Sequence, residues 1–197
     1  MMINTHREEL YIATGNDGKF EETESFLTNK LPSIRILKAS IPFVEVQSDD
    51  QQEIVLDKAR QAWQQLQKPF LVEDAGILFD RYKNFPGPLT KFVYQGIGIE
   101  GLLKLVTQGD RATFVLYLVY MWGPKDFYLF KGECKGSIVV PERFNAHPQL
   151  PYDDIFKPDG SDKTYAQLRG TKEFESFSYR MDALRKFLHW YKTDKKH

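Results

Sequence analysis

The sequence is poor in the residues that staple or anchor a chain. It has one cysteine, Cys134, so no disulfide forms within the chain and a cysteine-rich zinc site is excluded. No stretch approaches the roughly 20 apolar residues of a membrane helix. The segment Met1 to Glu9 is polar and charged, without an apolar run of the secretory type. These features predict a cytoplasmic protein with no membrane partner. A surplus of charge of one sign is also missing, with 27 basic and 27 acidic side chains. Grip on long nucleic acid rests on phosphate contacts and usually shows as a basic surplus. A nucleic acid polymer is therefore not an expected partner, whereas a small anionic ligand needs only a local basic pocket.

What the chain does have is bulky core material, with 15 Phe, 10 Tyr and 3 Trp in 197 residues. That length suits one domain with a full core, read here as residues 1–197. No internal repeat or low-complexity linker interrupts it. Leu10 to Thr14 reads as a strand, Lys19 to Thr28 as a helix and Ile34 to Leu37 as a second strand. Ser48, with Gln51 three residues on, predicts a capping box for the next helix. Val55, Ala59, Ala62, Trp63 and Leu66 give that helix one apolar face. Phe70 to Val72 predicts a short buried strand that ends at Glu73-Asp74. Gly98 to Val106 reads as a helix, and Ala112 to Met121 with Phe127 to Glu133 as a hairpin. Ser137 to Val140 predicts another strand, Pro141 to Gly160 a long Pro-rich loop, and Ser176 to Tyr191 a last amphipathic helix. Alternation early and strands later make a mixed α/β pattern.

Four groups of residues carry possible chemistry. Thr14-Gly15-Asn16-Asp17-Gly18-Lys19 joins a strand to a helix, and a helix N-terminus offers free N–H groups and a positive dipole end to a phosphate. The spacing is not that of a Walker loop, and an ordinary capped turn has the same look. Glu73-Asp74 are adjacent carboxylates that extended backbone points to opposite sides. One can hold a hard cation while the other orients a lysine or a water. Lys58, on the helix that carries Val55 and Ala59, and Glu45, in Phe43-Val44-Glu45-Val46-Gln47, can face a cleft or merely solvent. Tyr152-Asp153-Asp154-Ile155-Phe156 and Ser178-Tyr179-Arg180 combine rings that can stack on a base with an arginine that can donate to a 6-oxo group.

In this order the pieces resemble the Ham1 family, the inosine triphosphate pyrophosphatases. The T-G-N-x-x-K turn is matched by Thr14, Gly15, Asn16 and Lys19. The E-D-[TS]-G segment is matched by Glu73-Asp74-Ala75-Gly76, and the P-G-x-Y turn by Pro86-Gly87-Pro88-Leu89, with Lys91 soon after. Gly136, Ile138 and Pro141 match G-x-I-x-x-P, and Pro158, Gly160, Thr164, Ala166 and Leu168 match P-x-G-x-x-x-T-x-A-x-[LM]. The resemblance covers nearly the whole chain. It implies an elongated mixed sheet shared by two lobes, with flanking helices and a central cleft, in a homodimer. It implies hydrolysis of ITP, dITP and XTP to the monophosphate and pyrophosphate, with Mg2+, or alternatively Mn2+, as cofactor.

Carried over residue by residue, the resemblance makes Asp74, Lys19 and Lys58 catalytic. It makes Glu45, Glu73 and Asp74 the metal carboxylates. A strict count for the upstream carboxylate falls on Val46, and Glu45 beside it supplies the acid. Substrate would meet Thr14, Gly15, Asn16, Lys19, Lys58, Ala75, Tyr152, Asp153, Lys172, Ser178, Tyr179 and Arg180. The departures cluster on the base side. Leu150-Pro151-Tyr152-Asp153-Asp154 stands for F-G-[WY]-D-P, and Ser178-Tyr179-Arg180 for S-H-R. The lysine four residues before that serine falls at Phe174, with Lys172 the nearest substitute. A pyrophosphatase of the same fold with another base preference, and a nucleotide-binding module without catalysis, are therefore the competing expectations.

Overall fold

The computed structural model describes residues 8–144 and 150–194. Most of the polar N-terminal segment, the middle of the predicted Pro-rich loop and the end of the charged tail lie outside the described residues.

The backbone forms a seven-stranded mixed sheet with helices on both faces. The first half is parallel. Strand β1 (Glu8–Ala13) pairs over its full length with β2 (Ile34–Ala39), and helix α1 (Asp17–Lys30) connects them. Strand β3 (Phe70–Phe79) follows helix α2 (Gln51–Leu66) and touches β1 through only Tyr11–Phe70 and Ile12–Leu71. The second half is antiparallel. β5 (Arg111–Met121) pairs with all of β3, β6 (Phe127–Ile138) pairs with all of β5, and β7 (Phe156–Pro158) closes the edge. The two-residue β4 (Pro86–Gly87) pairs with Ile77 and Leu78 of β3, after a cis Phe85–Pro86 bond. Helix α3 (Thr90–Leu105) follows, kinked at Gly98 where φ is 62°.

The sheet separates two cores. Leu10, Ile12, Leu71, Leu116, Leu118 and Phe130 face α1 and the last helix, α6 (Tyr179–Thr193). Ala13, Phe70, Val72, Val119 and Met121 face Val55, Ala59 and Ala62 of α2. Two short helices, α4 (Tyr165–Leu168) and α5 (Phe174–Phe177), lie between β7 and α6. Among the described residues no helix is long and apolar enough to cross a membrane.

Several predicted boundaries move for local reasons. The cap of α2 is Asp50, whose carboxylate accepts from the Gln52 N–H at 2.8 Å, while Ser48 donates to Glu53. The segment Ser137 to Val140 is no separate strand, because β6 runs through to Ile138. The predicted loop Pro141 to Gly160 contains a 3-10 turn (Pro151–Asp153) and β7. Above all, Glu73-Asp74 do not end their strand. Pairing with β5 satisfies the backbone of β3 on one edge from Phe70 to Phe79. The other edge is bonded by β1 at its start and β4 near its end. The crevice therefore opens beside the middle of β3, where β1 stops.

Gly132 lets α6 rest directly on the sheet. A Cβ there would lie 2.0 Å from the Tyr179 carbonyl oxygen and 2.8 Å from the Ala183 nitrogen. Both are backbone atoms of a packed helix, which a side chain cannot push aside cheaply. Gly132→Ala should therefore destabilise the fold by about 1–3 kcal/mol, measured as a lowered urea midpoint. It should also displace the first turn of α6, which carries Arg180.

Candidate active site

The centre of β3 passes the open end of β1 with its side chains alternating across the sheet. Glu73 points to the α1 and α6 face and Asp74 to the α2 face, so neighbouring carboxylates enter two different clusters of charge. The loop after β1 crosses the same gap. Its Asn16 N–H donates to the Thr14 hydroxyl at 3.1 Å, and the Asn16 side chain caps α1 by accepting from the Lys19 N–H at 3.0 Å. No described hydrogen bond takes the N–H groups of Asp17 or Gly18. The first turn of α1 thus keeps its donors for an anion.

On the α2 face Lys58 is 7% exposed. Its ammonium lies 2.7 Å from Asp74 Oδ1 and 2.6 Å from Glu45 Oε1. Burial disfavours the charge on Lys58, but the Asp74 carboxylate, then Glu45, more than offsets this and raises the lysine above its ordinary value. Burial likewise resists the charge on Glu45; Lys58, Lys91 and Lys19 together hold that carboxylate below its usual range. Lys58 therefore bridges the two acids, and the fields of Lys91 and Lys19 reach Glu45.

On the other face Arg180 takes Glu73 in a fork, Nε to Oε2 at 3.0 Å and Nη2 to Oε1 at 2.9 Å. Its remaining Nη1 donates to Glu22 of α1. Lys19 reaches the same Glu73 oxygen at 3.2 Å. Burial opposes the Glu73 charge, yet Arg180 and then Lys19 overcome it and hold the carboxyl down at about 2. Arg180 is buried too, and the Glu73 and Glu22 carboxylates raise it well above its ordinary value against that burial.

The other sequence-predicted residues divide. Ser178 caps α6, accepting from the Met181 N–H at 3.3 Å and donating to Glu22 at 3.4 Å. Ala75 sits on β3 beside Glu73's core. Gly15 lies in the loop, with open space around its Cα. Tyr152 is buried, donating to the Thr90 carbonyl at 2.8 Å. The Tyr179 ring stacks on Phe114 with centroids 5.0 Å apart, and burial pushes its hydroxyl up to about 12. Asp153 is buried and paired with Arg169. Lys172 is exposed, and no described ion pair joins it to these carboxylates. The structure thus brings Thr14, Asn16, Lys19, Glu45, Lys58, Glu73, Asp74, Ser178 and Arg180 to one gap. It keeps the Tyr152 and Tyr179 rings in the core.

Sequence reasoning passed over Glu22 and Arg169, and met Lys91 only as a neighbour of the P-G-x-Y turn. A signal existed for Glu22, which lies three residues from Lys19 and so shares its helix face. Arg169 meets Asp153, and the field of Lys91 reaches Glu45, only through the fold.

A parallel-then-antiparallel sheet with lysines and two carboxylates at the open edge of its central strand has the charge to receive an anion, and the architecture is a known one. A sequence model of the Ham1 family matches residues 10–190, and the chain belongs to that family. It is 34% identical over 188 residues to the dITP/XTP pyrophosphatase of Methanopyrus kandleri, covering 94% of this chain and 97% of the relative. It is 35% identical over 172 residues to inosine triphosphate pyrophosphatase 2 of Trypanosoma cruzi, covering 86% and 85% of the two. The solved Ham1 protein of Staphylococcus aureus shares the fold, with a TM-score of 0.77 at 24% identity over 94% of this chain and 98% of that one.

A folded-state value near 2, below the ordinary 4.5, makes Glu73 a source of stability at neutral pH. That contribution is complete above pH 4.5 and is lost as pH falls toward about 2. Glu73→Gln should therefore flatten the acid side of the stability curve, read as urea midpoints across this range, relative to the unsubstituted protein.

Proposed function

We propose that the protein is a nucleoside triphosphate pyrophosphatase. It hydrolyses the non-standard purine nucleotides ITP, dITP and XTP to the monophosphate and pyrophosphate, and so cleans the nucleotide pool. The observation that carries this reading is Lys58, buried and held between Glu45 and Asp74 beside the open N-terminus of α1. A triphosphate carries roughly four negative charges, and cleavage at the α-phosphorus adds charge to the departing pyrophosphate, so a site must gather cations there. Lys19, Lys58 and Lys91 supply them, with the free N–H groups of Asp17 and Gly18. The names of the relatives point the same way.

The acids suit a hard divalent cation. Glu45 Oε1 and Asp74 Oδ1 both converge on one ammonium at 2.6 and 2.7 Å. Among the described residues no group of three or more His, Cys, Asp or Glu is arranged around a metal. Mg2+ typically takes one or two carboxylates and completes its shell with phosphate oxygens and water, and Mn2+ accepts the same donors. When bound, such an ion neutralises phosphate charge and makes water more acidic. Glu45 and Asp74 would hold it, and Lys58, relieved of its acids, would turn to a phosphate. Asp74 then accepts the proton of the attacking water. Glu73 keeps Lys19 and Arg180 in place on the far side of the strand. Arg180 spends three of its five N–H groups on Glu73 and Glu22 and retains two for a 6-oxo oxygen.

By the same reasoning the chain works as one domain, in the cytoplasm and as a homodimer, with no nucleic acid polymer or membrane as partner. The exposed apolar residues Leu89, Phe92 and Ile97 on and before α3 offer a face for a second copy. A second reading, the same reaction with another base, is favoured by Phe174 and Lys172. One puts a ring where a base-reading cation was expected, and the other is exposed, with no described ion pair to the acids.

Pyrophosphate release with Mg2+ should be selective for ITP, dITP and XTP over the standard triphosphates. Asp74→Asn should lower kcat by about 10²–10⁴ with the fold intact by circular dichroism. Turnover of a different nucleotide would keep the reaction and change the base. No turnover of any would leave a binding module.

A further inference from the structure

Outside the carboxylate gap, one charged side chain is built into the structure at some cost and has no part in the chemistry above. Arg169 follows α4 and donates its Nε to Asp153. Asp153 is nearly sealed, at 4% side-chain exposure, whereas Arg169 is 26% exposed. The buried partner is therefore the acid, and the arginine presents itself outward. Its guanidinium lies over the ring of Phe174, 4.8 Å from the centroid, and that ring packs edge-on against Tyr165. A flat cation clamped at one edge by a carboxylate and on one face by a ring has lost most of its rotamer freedom. A buried carboxylate is costly without a partner, so such a clamp fits a device that aims something. The described hydrogen bonds use only the Nε of Arg169, which leaves the Nη groups as donors.

The place is next to the site. Glu22 acts electrostatically on Asp153, on Arg169 and on Tyr179, and Glu22 is bonded to Arg180. Arg169 thus lies within the field of Glu22, and Arg180, bonded to Glu22, continues the chain of charge to Glu73. The packing agrees: Tyr165, against which the Phe174 ring lies, donates to the Phe177 carbonyl at 2.7 Å, three residues before Arg180.

We propose that Arg169, aimed by Asp153 and supported on Phe174, is a specificity-determining residue that donates to a carbonyl oxygen on the edge of the bound purine. This rests on the pyrophosphatase reading. The cation at this point comes from Arg169, while the side chain at position 174 serves as its platform. Donors without acceptors favour a 6-oxo purine and disfavour a 6-amino purine, whose exocyclic group also donates.

The test is calorimetric binding of inosine and adenosine monophosphates, which needs no turnover and so stands apart from the hydrolysis assay. The unsubstituted protein should prefer the inosine compound by about tenfold or more, the worth of a satisfied polar contact. Arg169→Met should lose most of that preference, leaving only what Arg180 supplies, and Arg169→Lys should restore part of it. Because Arg169→Met strands the Asp153 charge, the double variant Arg169→Met/Asp153→Asn serves as the control for folding. It should melt near the parent and show the same reduced preference as Arg169→Met. Recovery of the preference in the double variant would overturn the proposal, since Arg169 would then serve only to neutralise Asp153. Full preference in Arg169→Met, or none in the unsubstituted protein, would overturn it as well. Loss of hydrolysis with the binding preference intact would instead sink the pyrophosphatase reading alone.

Discussion

The site depends on the alternation of side chains along β3 where the strand has neighbours on one edge only. Two adjacent carboxylates next to each other in water would simply repel. Here extended backbone sends Glu73 and Asp74 through opposite faces of a sheet, and each meets its own cations. Pairing with β5 along the whole strand keeps that backbone straight, so neither acid can swing to join the other. The early end of β1 exposes both to the same gap.

From this follows a division of labour. On the α2 face the acids are shared by a single buried lysine and lie open to solvent on one side, with Glu45 about half exposed at 49%. Such a cluster can exchange partners, which suits groups that must accept an ion, a phosphate or a proton. On the α6 face Glu73 is locked by a bidentate arginine and held near 2. A carboxylate so deep below neutrality does no proton transfer at ordinary pH. It acts as a fixed anchor that sets where Arg180 and Lys19 stand. Lys19 sits between the two clusters, touching Glu73 directly and Glu45 through its field.

Much of this was legible before the structure. The T-G-N turn, the E-D pair, Lys58 and Arg180 were visible as residue types whose chemistry matches a phosphate and a hard cation, and the opposite facing of Glu73 and Asp74 follows from strand geometry alone. The position of the crevice was not legible. Residues 70–72 looked like the whole strand because polar Glu73-Asp74 broke the apolar run, and only pairing with β5 carries the strand past them. Glu22 could have been found by its helical spacing from Lys19. Arg169 could not, because its acid lies 16 residues away, with β7 and α4 between them. The two tyrosines expected at the base were drawn into the core by their rings: Tyr179 onto Phe114 and Tyr152 among Phe79 and Tyr94.

The central claim is that the strand divides the ligand, with phosphates at the Asp74 and Lys58 end and the base at the Glu73 and Arg180 end. A crystal structure with a non-hydrolysable analogue of inosine triphosphate tests it most directly. The account predicts the triphosphate against the first turn of α1, Lys19 and Lys58, with the purine edge facing Arg180. Phosphates seated on Arg180 and Arg169, with the base beside Lys58, would contradict it.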